Sequence, residues 1–363
     1  MTTTLPQNYR AAQFTERGGG IEIRQVEMKQ PGENEVLIKV EACGLNSTDQ
    51  IIRNDLVPGI HYPAGLGQNV VGTVVKVGQQ SGGLLSRGFK EGMKVAAIRY
   101  HDGLAEYTIA RCDATVELKK GDFAGNEEEA AVFAWDASRI IGAYRRAETE
   151  YKHLTKDEER VARDVNKRMG FGEHEGVIVV YGEGGFTRLA VDILKKTAET
   201  KTSLFGPPQH HRTVVVASSD RWSAKDYGVE DKDFFRASDR NIADLLKKLG
   251  GAGLIICTEQ PNENFEGLLD ATRFGAFVTI LSPSQQAALK VPLGNVIAKA
   301  LKVAGPPILS HGLLEHSLSI CTKHNIRAPI KKYAFTQEAI NQAWKDLEDG
   351  TKFEAPLVVI QQQ

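Results

Sequence analysis

The sequence predicts an α/β chain in two parts: a small β-barrel, and a parallel sheet covered by helices on both faces. Three observations predict it. Short β-branched runs punctuated by glycine fill the first third. From about residue 176 onward, buried-type strands alternate with helices. A glycine-rich turn joins the first of those strands to the helix that follows it. At 363 residues the chain is long enough for two domains, each with a core of its own.

The barrel strands come first. Val36–Val40 and the run from Val70 to Gly78 are β-branched, and 93–98 and 105–109 continue the pattern. Several short strands at this spacing suggest a small barrel. The last strand, 355–360, has the N-terminal β region as its plausible partner, which would make the first domain discontinuous. Before it, Thr336 caps an amphipathic helix running to Trp344.

The middle changes period. Ile140, Tyr144, Ala147, Tyr151, Leu154, Val161, Val165 and Met169 follow helical spacing. Thr155-Lys156-Asp157-Glu158 has the form of a capping box, so two helices meet near Thr155. Their charged outer faces read as a solvated hairpin, with a lid or partner surface as the other reading. Beyond it, 176–181, 213–217, 254–257 and 276–281 are short apolar runs of buried parallel strands. The segment 202–211, with Pro207-Pro208, reads as a loop insertion.

Composition limits the function classes. A net charge of -1 gives no handle for nucleic acid or an acidic membrane. Cys43, Cys112, Cys257 and Cys321 are far apart and form no C-x-x-C pair, which argues against a structural zinc lobe or a disulfide scaffold. No apolar run reaches the roughly 18 to 20 residues that span a bilayer. The polar start, Met1 to Arg10, lacks a signal core. The cytoplasm is the default compartment.

The turn after Tyr181 reads Gly182-Glu183-Gly184-Gly185-Phe186-Thr187, a G-x-G-x-x-G pattern with Thr187 in the last place. The first glycine permits the tight turn, and the second lets backbone N–H groups approach a pyrophosphate at a helix N-terminus. A dinucleotide site is expected here, with an empty Rossmann scaffold as the alternative. The second strand ends Ala217-Ser218-Ser219-Asp220-Arg221. Hydroxyls and a cation suit a 2′-phosphate, so NADPH is favoured; Asp220 keeps NADH open if it faces the ribose. Arg221 has a second reading as a solvated helix-start residue.

Several motifs, in order, resemble the medium-chain dehydrogenase/reductase family. They are Lys39–Gly44, the G-x-V-x-x-V-G strand at Gly72–Gly78, Glu91–Val95, the G-x-x-A-E-Y-like Gly103–Tyr107, Val291–Gly294 and Gly350–Lys352. The resemblance implies a GroES-like barrel plus a Rossmann domain, with the site in the cleft between them. It assigns 1–140 and 315–363 to the catalytic domain, and 141–314 to the nucleotide domain with a helical insertion at about 144–174. It also implies dimerisation through the Rossmann sheet edge, near Pro306–Leu309.

Zinc-containing members carry cysteine and a histidine-glutamate pair where this chain has Asn46, Gln68-Asn69 and Trp135. None of these supplies a thiolate or imidazole, so no catalytic zinc is expected. Gly44-Leu45-Asn46 through Asp49 and Arg53 resembles the G-[VL]-N-x-x-D-x-x-x-R of quinone oxidoreductases and enoyl reductases. That implies hydride transfer from NADPH to an activated C=C bond or quinone. By position, Asn46 would hydrogen-bond near the nicotinamide or a substrate carbonyl, and Asp49 with Arg53 would form a loop-holding ion pair. Tyr62, His61 and Tyr100 are the candidates for a proton donor, each with a second reading as a packing or rim aromatic. Gln68 and Trp135 are expected to face substrate, and Trp135 could equally fill core. Arg139 would orient a carbonyl or anion, or pair with Asp136. The alternatives are a carbonyl or imine reductase, and a non-redox isomerase, cyclase or cofactor-binding protein on the same fold.

Overall fold

The computed structural model describes residues 5–56, 59–80, 88–99, 101–153, 155–171, 177–199, 212–282, 289–306, 309–349 and 354–360. The chain divides into two compact units, 1–138 with 309–363, and 139–308.

The first unit begins with β1 (Asn8–Phe14), β2 (Ile21–Glu27) and β3 (Glu35–Gly44), followed by the short helix α1 (Ser47–Arg53). Then come β4 (Ala64–Gly65), β5 (Asn69–Val77), β6 (Lys94–Ile98), β7 (Tyr107–Arg111) and β8 (Thr115–Glu117). β3 is the spine. It pairs antiparallel with β5 along its length and with β7 through Glu35–Lys39. β6 and β8 extend the same sheet beyond β5, while β1, β2 and β4 form a separate antiparallel sheet. A helical stretch closes this part: α2 (Ala130–Val132), a π-helical turn at Phe133–Ala137, and α3 (Ser138–Lys152), which leads into the second unit.

The second unit continues with α4 (Lys156–Arg168), β9 (Val177–Tyr181), α5 (Gly184–Glu199), β10 (Thr213–Ala217) and β11 (Phe234–Arg236). It is completed by α6 (Ile242–Lys248), β12 (Ala252–Cys257), α7 (Phe265–Leu269), β13 (Thr272–Ile280), α8 (Leu293–Ala298) and β14 (Lys302–Ala304). The strand order is β11-β10-β9-β12-β13-β14, and every pair is parallel. This is the doubly wound Rossmann order, whose chain reversal lies between β9 and β12. All residues of β9 and β10 are buried, as strands covered on both faces require. Thr155 and Glu158 form the capping box read from the sequence, each side chain bonded to the other's backbone N–H. Asn166 of α4 anchors that helix to β13, its side-chain oxygen accepting from Phe274 N at 2.7 Å. The edge strand is 302–304, upstream of the predicted 306–309; 307 and 308 lie outside the described residues, as does the predicted loop 202–211.

The chain then returns to the first unit through α9 (His311–Lys323), β15 (Ile330–Ala334), α10 (Gln337–Asp349) and β16 (Ala355–Val359). β16 pairs antiparallel with the end of β3, Leu357 opposite Gly44, so the tail completes the N-terminal sheet as its sequence suggested. The amphipathic face of α10 places Trp344 edge-on to Phe14 at 5.2 Å in the barrel core. Among the described residues, no helix is long and apolar enough to cross a membrane.

Candidate functional site

In the first unit the chemistry gathers around one buried carboxylate. Asp49, in the first turn of α1, accepts from Asn46 N at 3.0 Å and from Gly67 N at 2.7 Å. One side chain therefore joins the loop after β3 to the loop before β5, and brings Asn46 close to Gln68 and Asn69. Gly67 is glycine of necessity. Its φ is +84°, and a Cβ there would sit 2.4 Å from Cys43 Sγ. Burial pushes the Asp49 carboxyl up to about 6, against the lowering effect of its two N–H donors.

The expected Asp49–Arg53 ion pair is not what forms. Both oxygens of Asp49 face backbone N–H groups deep in the core. Arg53, one turn on at the exposed end of α1, donates to Gly18 O and Gly19 O and pairs with Glu348. Helical spacing put the two charges within reach, but the loop's buried amides hold the acid instead.

Asn46 has two tasks. Its Oδ1 caps α1, accepting from Thr48 N at 2.8 Å. Its Nδ2 is buried without a hydrogen-bond partner among the described residues, on a residue only 8% exposed. Asn69 Oδ1 and Ser138 Oγ are buried in the same condition. An unpaired buried polar atom costs about 1–3 kcal/mol, so each of these is a point where a ligand or ordered water is wanted. Gln68 is also buried, and its backbone oxygen accepts from Arg99 N at 2.6 Å. Trp135 lies half-buried on the π-helical turn, which packs against β6. Such turns recur at functional sites because they swing side chains out of helical register.

The proton-donor candidates fare differently. Tyr62 donates its hydroxyl to Ile52 O at 2.7 Å and lies 3.0 Å from Arg53 O, so it fastens the end of α1. His61 is exposed. Tyr100 lies outside the described residues. Among the described residues, no group of three or more His, Cys, Asp or Glu side chains is arranged to hold a metal.

In the second unit, Gly182 ends β9 with φ +138°. A Cβ there would lie 2.5 Å from Thr258 Oγ1 and 2.9 Å from Glu259 N, because the loop after β12 crosses directly over the turn. Gly184 opens α5 at φ +71°, followed by Gly185. Thr187 replaces the third glycine without opening a gap. It is fully buried, and its hydroxyl lies 2.9 Å from Glu183 O and 2.6 Å from Thr258 Oγ1, which in turn donates to Tyr181 O. A hydroxyl pair thus does the helix–strand packing that a glycine does elsewhere. Thr187→Val is expected to lower unfolding free energy by about 1–2 kcal/mol, since it removes the buried hydroxyl's contacts to Glu183 O and Thr258 Oγ1; urea unfolding measures this. Phe186 carries the guanidinium of buried Arg139 over its ring at 5.3 Å, which ties Arg139 to the glycine turn.

The end of β10 is more acidic than its own sequence suggests. Ser218 Oγ donates to Glu259 Oε2 at 2.6 Å, and Ser219 Oγ accepts from Arg221 N at 3.2 Å. Arg221 lies 3.8 Å from Glu183, and Asp220 pairs with Arg236 at 2.6 Å. Arg236, Glu259 and Tyr227, whose hydroxyl accepts from Gly184 N at 3.3 Å, were not expected at this site. Each comes from a distant element, and no local motif signals it.

Comparison with known proteins fits this architecture. The alcohol dehydrogenase GroES-like domain model matches residues 32–146. An alcohol dehydrogenase of Penicillium expansum is 24% identical over 376 residues, covering 97% of both chains. An acryloyl-coenzyme A reductase of Sulfurisphaera tokodaii is 25% identical over 360 residues, covering 93% of this chain and 96% of its own. The crystal structure of a Pseudomonas syringae quinone oxidoreductase superposes with a TM-score of 0.72 at 18% identity, covering 97% and 99%. The chain has the fold of the medium-chain dehydrogenases/reductases. A GroES-like domain forms its first unit and a Rossmann domain its second.

Proposed function

We propose that this chain is an NADPH-dependent reductase of a C=C bond conjugated to a carbonyl, or of a quinone, and that it works without zinc. The observation that carries the reading is the buried, unpaired Nδ2 of Asn46, set among Gln68 and Asn69. These neutral amides stand at the positions where zinc-containing relatives place their ligands. They offer hydrogen bonds to a carbonyl but no thiolate or imidazole for a metal. The names of the acryloyl-coenzyme A reductase and the quinone oxidoreductase support the substrate class.

The glycine turn fits a dinucleotide, since Gly182 has no room for a Cβ and Gly184 sits at the N-terminus of a long helix. Residues Gly182, Gly184, Gly185 and Phe186 would hold the pyrophosphate end, with buried Thr187 packing the helix behind them. Ser219, Arg221 and Arg236 would face a 2′-phosphate. The bound nicotinamide supplies the hydride. Asn46 would donate to the substrate oxygen and stabilise the charge that builds there as the β-carbon is reduced. Trp135 and Gln68 would hold a flat substrate and exclude water.

Asn46→Ser tests the assignment. Serine keeps a capping oxygen for α1 but removes the amide donor. The expected result is a kcat about 10²–10³ lower with thermal stability nearly unchanged. A kcat within twofold of the wild type would remove Asn46 from the mechanism.

A homodimer through the Rossmann edge is the accompanying proposal. β14 is the terminal strand, and Val303 on it and Leu293 and Ile297 on α8 are 40%, 74% and 78% exposed. Ile297→Asp is expected to shift the sedimentation coefficient from dimer to monomer.

A further inference from the structure

β10 ends in hydroxyl residues, and the position just past it is where dinucleotide folds read the adenosine ribose, commonly with an acidic side chain. The strand's own sequence places Ser218 there, yet an acid arrives from elsewhere. Glu259 follows β12, and β9 separates β12 from β10 in the sheet. Its loop passes close over the glycine turn, with backbone N and Cβ each 2.9 Å from where a Gly182 Cβ would stand. Ser218 Oγ donates to one carboxylate oxygen, Oε2, at 2.6 Å. Asn262 Nδ2 donates to Ser218 O at 3.3 Å, closing the same loop onto the end of β10.

The surrounding charges sharpen the role. Arg221 and Arg236 each face a carboxylate of their own, Glu183 at 3.8 Å and Asp220 at 2.6 Å. A cofactor 2′-phosphate would therefore meet cations that are already engaged, beside a further acid.

We propose that Glu259 is a specificity-determining residue, whose carboxylate, held on Ser218, favours ribose hydroxyls and weakens the site's preference for a 2′-phosphate. This rests on the dinucleotide reading above. A carboxylate accepts a hydrogen bond from a ribose hydroxyl and repels a phosphate dianion at the same place. The chain would then use NADPH with a modest preference over NADH, set by two arginines pulling against one glutamate.

The groups that face Glu259 are Ser218, Glu183, Arg221, Tyr181 and Tyr227. Burial, and after it the nearby Glu183, holds its carboxyl above the usual range, against the Ser218 hydrogen bond and Arg221. Acidification therefore neutralises Glu259 earlier than an ordinary glutamate. A 2′-phosphate loses charge near pH 6, which by itself weakens NADPH binding. A rise in NADPH preference on acidification thus reports on the protein's acid and not on the cofactor's.

Fluorescence titration with NADPH and with NADH reads both quantities without turnover. In Glu259→Gln the ratio of the NADH to the NADPH dissociation constant is expected to rise about tenfold. In the wild type it is expected to rise on acidification relative to what protonation of the 2′-phosphate alone gives, a measurement that stands even if the variant folds poorly. A ratio changed less than twofold by Glu259→Gln overturns the proposal, as does a wild-type ratio that falls on acidification as steeply as protonation of the 2′-phosphate alone requires. Failure of the wild type to bind either nucleotide overturns the dinucleotide reading itself.

Discussion

Gly182→Ala is expected to lower nicotinamide affinity by more than about 100-fold, a loss of about 2.7 kcal/mol, and to lower the thermal midpoint as well. Two independent constraints meet at this residue. Its φ of +138° is one that residues with a side chain rarely adopt. Its Cβ would lie 2.5 Å from Thr258 Oγ1 and 2.9 Å from both Glu259 N and Glu259 Cβ. Backbone on that side cannot give way without moving the whole loop after β12. Relief of the clash must therefore separate the ends of β9 and β12, where the turn is built, and break the Thr187–Thr258 contact behind it. Gly253→Ala is the control. It lies on β12 of the same sheet, and a Cβ there meets nothing within 4 Å. Isothermal titration and differential scanning calorimetry should show both losses for Gly182→Ala and neither for Gly253→Ala.

Asp49→Ala is expected to destabilise the first unit by about 3 kcal/mol, since it leaves two buried N–H groups unpaired at about 1–3 kcal/mol each. The groups are Asn46 N and Gly67 N, so the loss should also loosen the two loops that carry Asn46 and Gln68. Asp49→Asn should fall between, because its amide oxygen can accept only one of them well. The pH dependence has a definite sign. Asp49 titrates at about 6 in the folded chain against an ordinary 3.8, so the folded chain holds the proton more tightly than the unfolded one. The stabilisation that comes from this proton is complete below pH 3.8 and is lost as pH rises through about 6. The urea-unfolding free energy of the wild type relative to Asp49→Asn should decline across that window and be level above about pH 7.

Much of the fold was legible in the sequence because it rests on local periodicity. The β-branched run of β5, the five-residue buried strands β9 and β10, the capping box at Thr155 and the return of β16 to the barrel are all patterns within a few residues. The glycine turn was legible for the same reason. What stayed hidden is set by partners far apart along the chain. Nothing near Ser218 announces that Glu259 takes its hydroxyl, and nothing near Gly184 announces Tyr227. The Asp49–Arg53 pairing failed because charge spacing along a helix says nothing of the buried N–H of Gly67. Tyr62 looked like an acid in sequence, yet the carbonyls at the end of α1 claim its proton. Position in the motifs singles out Asn46, Gln68 and Trp135 in the sequence, and the burial of Asn46 Nδ2 adds a physical reason to look there.

The most direct test of a zinc-free reductase is turnover after metal removal. The full chain is dialysed against a chelator, and nicotinamide oxidation is followed with NADPH and panels of conjugated enones, quinones, simple aldehydes and imines. The expected result is consumption of NADPH in step with reduction of enones or quinones, at a rate that added zinc does not change. Turnover of aldehydes alone, restored only by zinc, would contradict it, and so would the absence of turnover with every acceptor by a protein that binds NADPH.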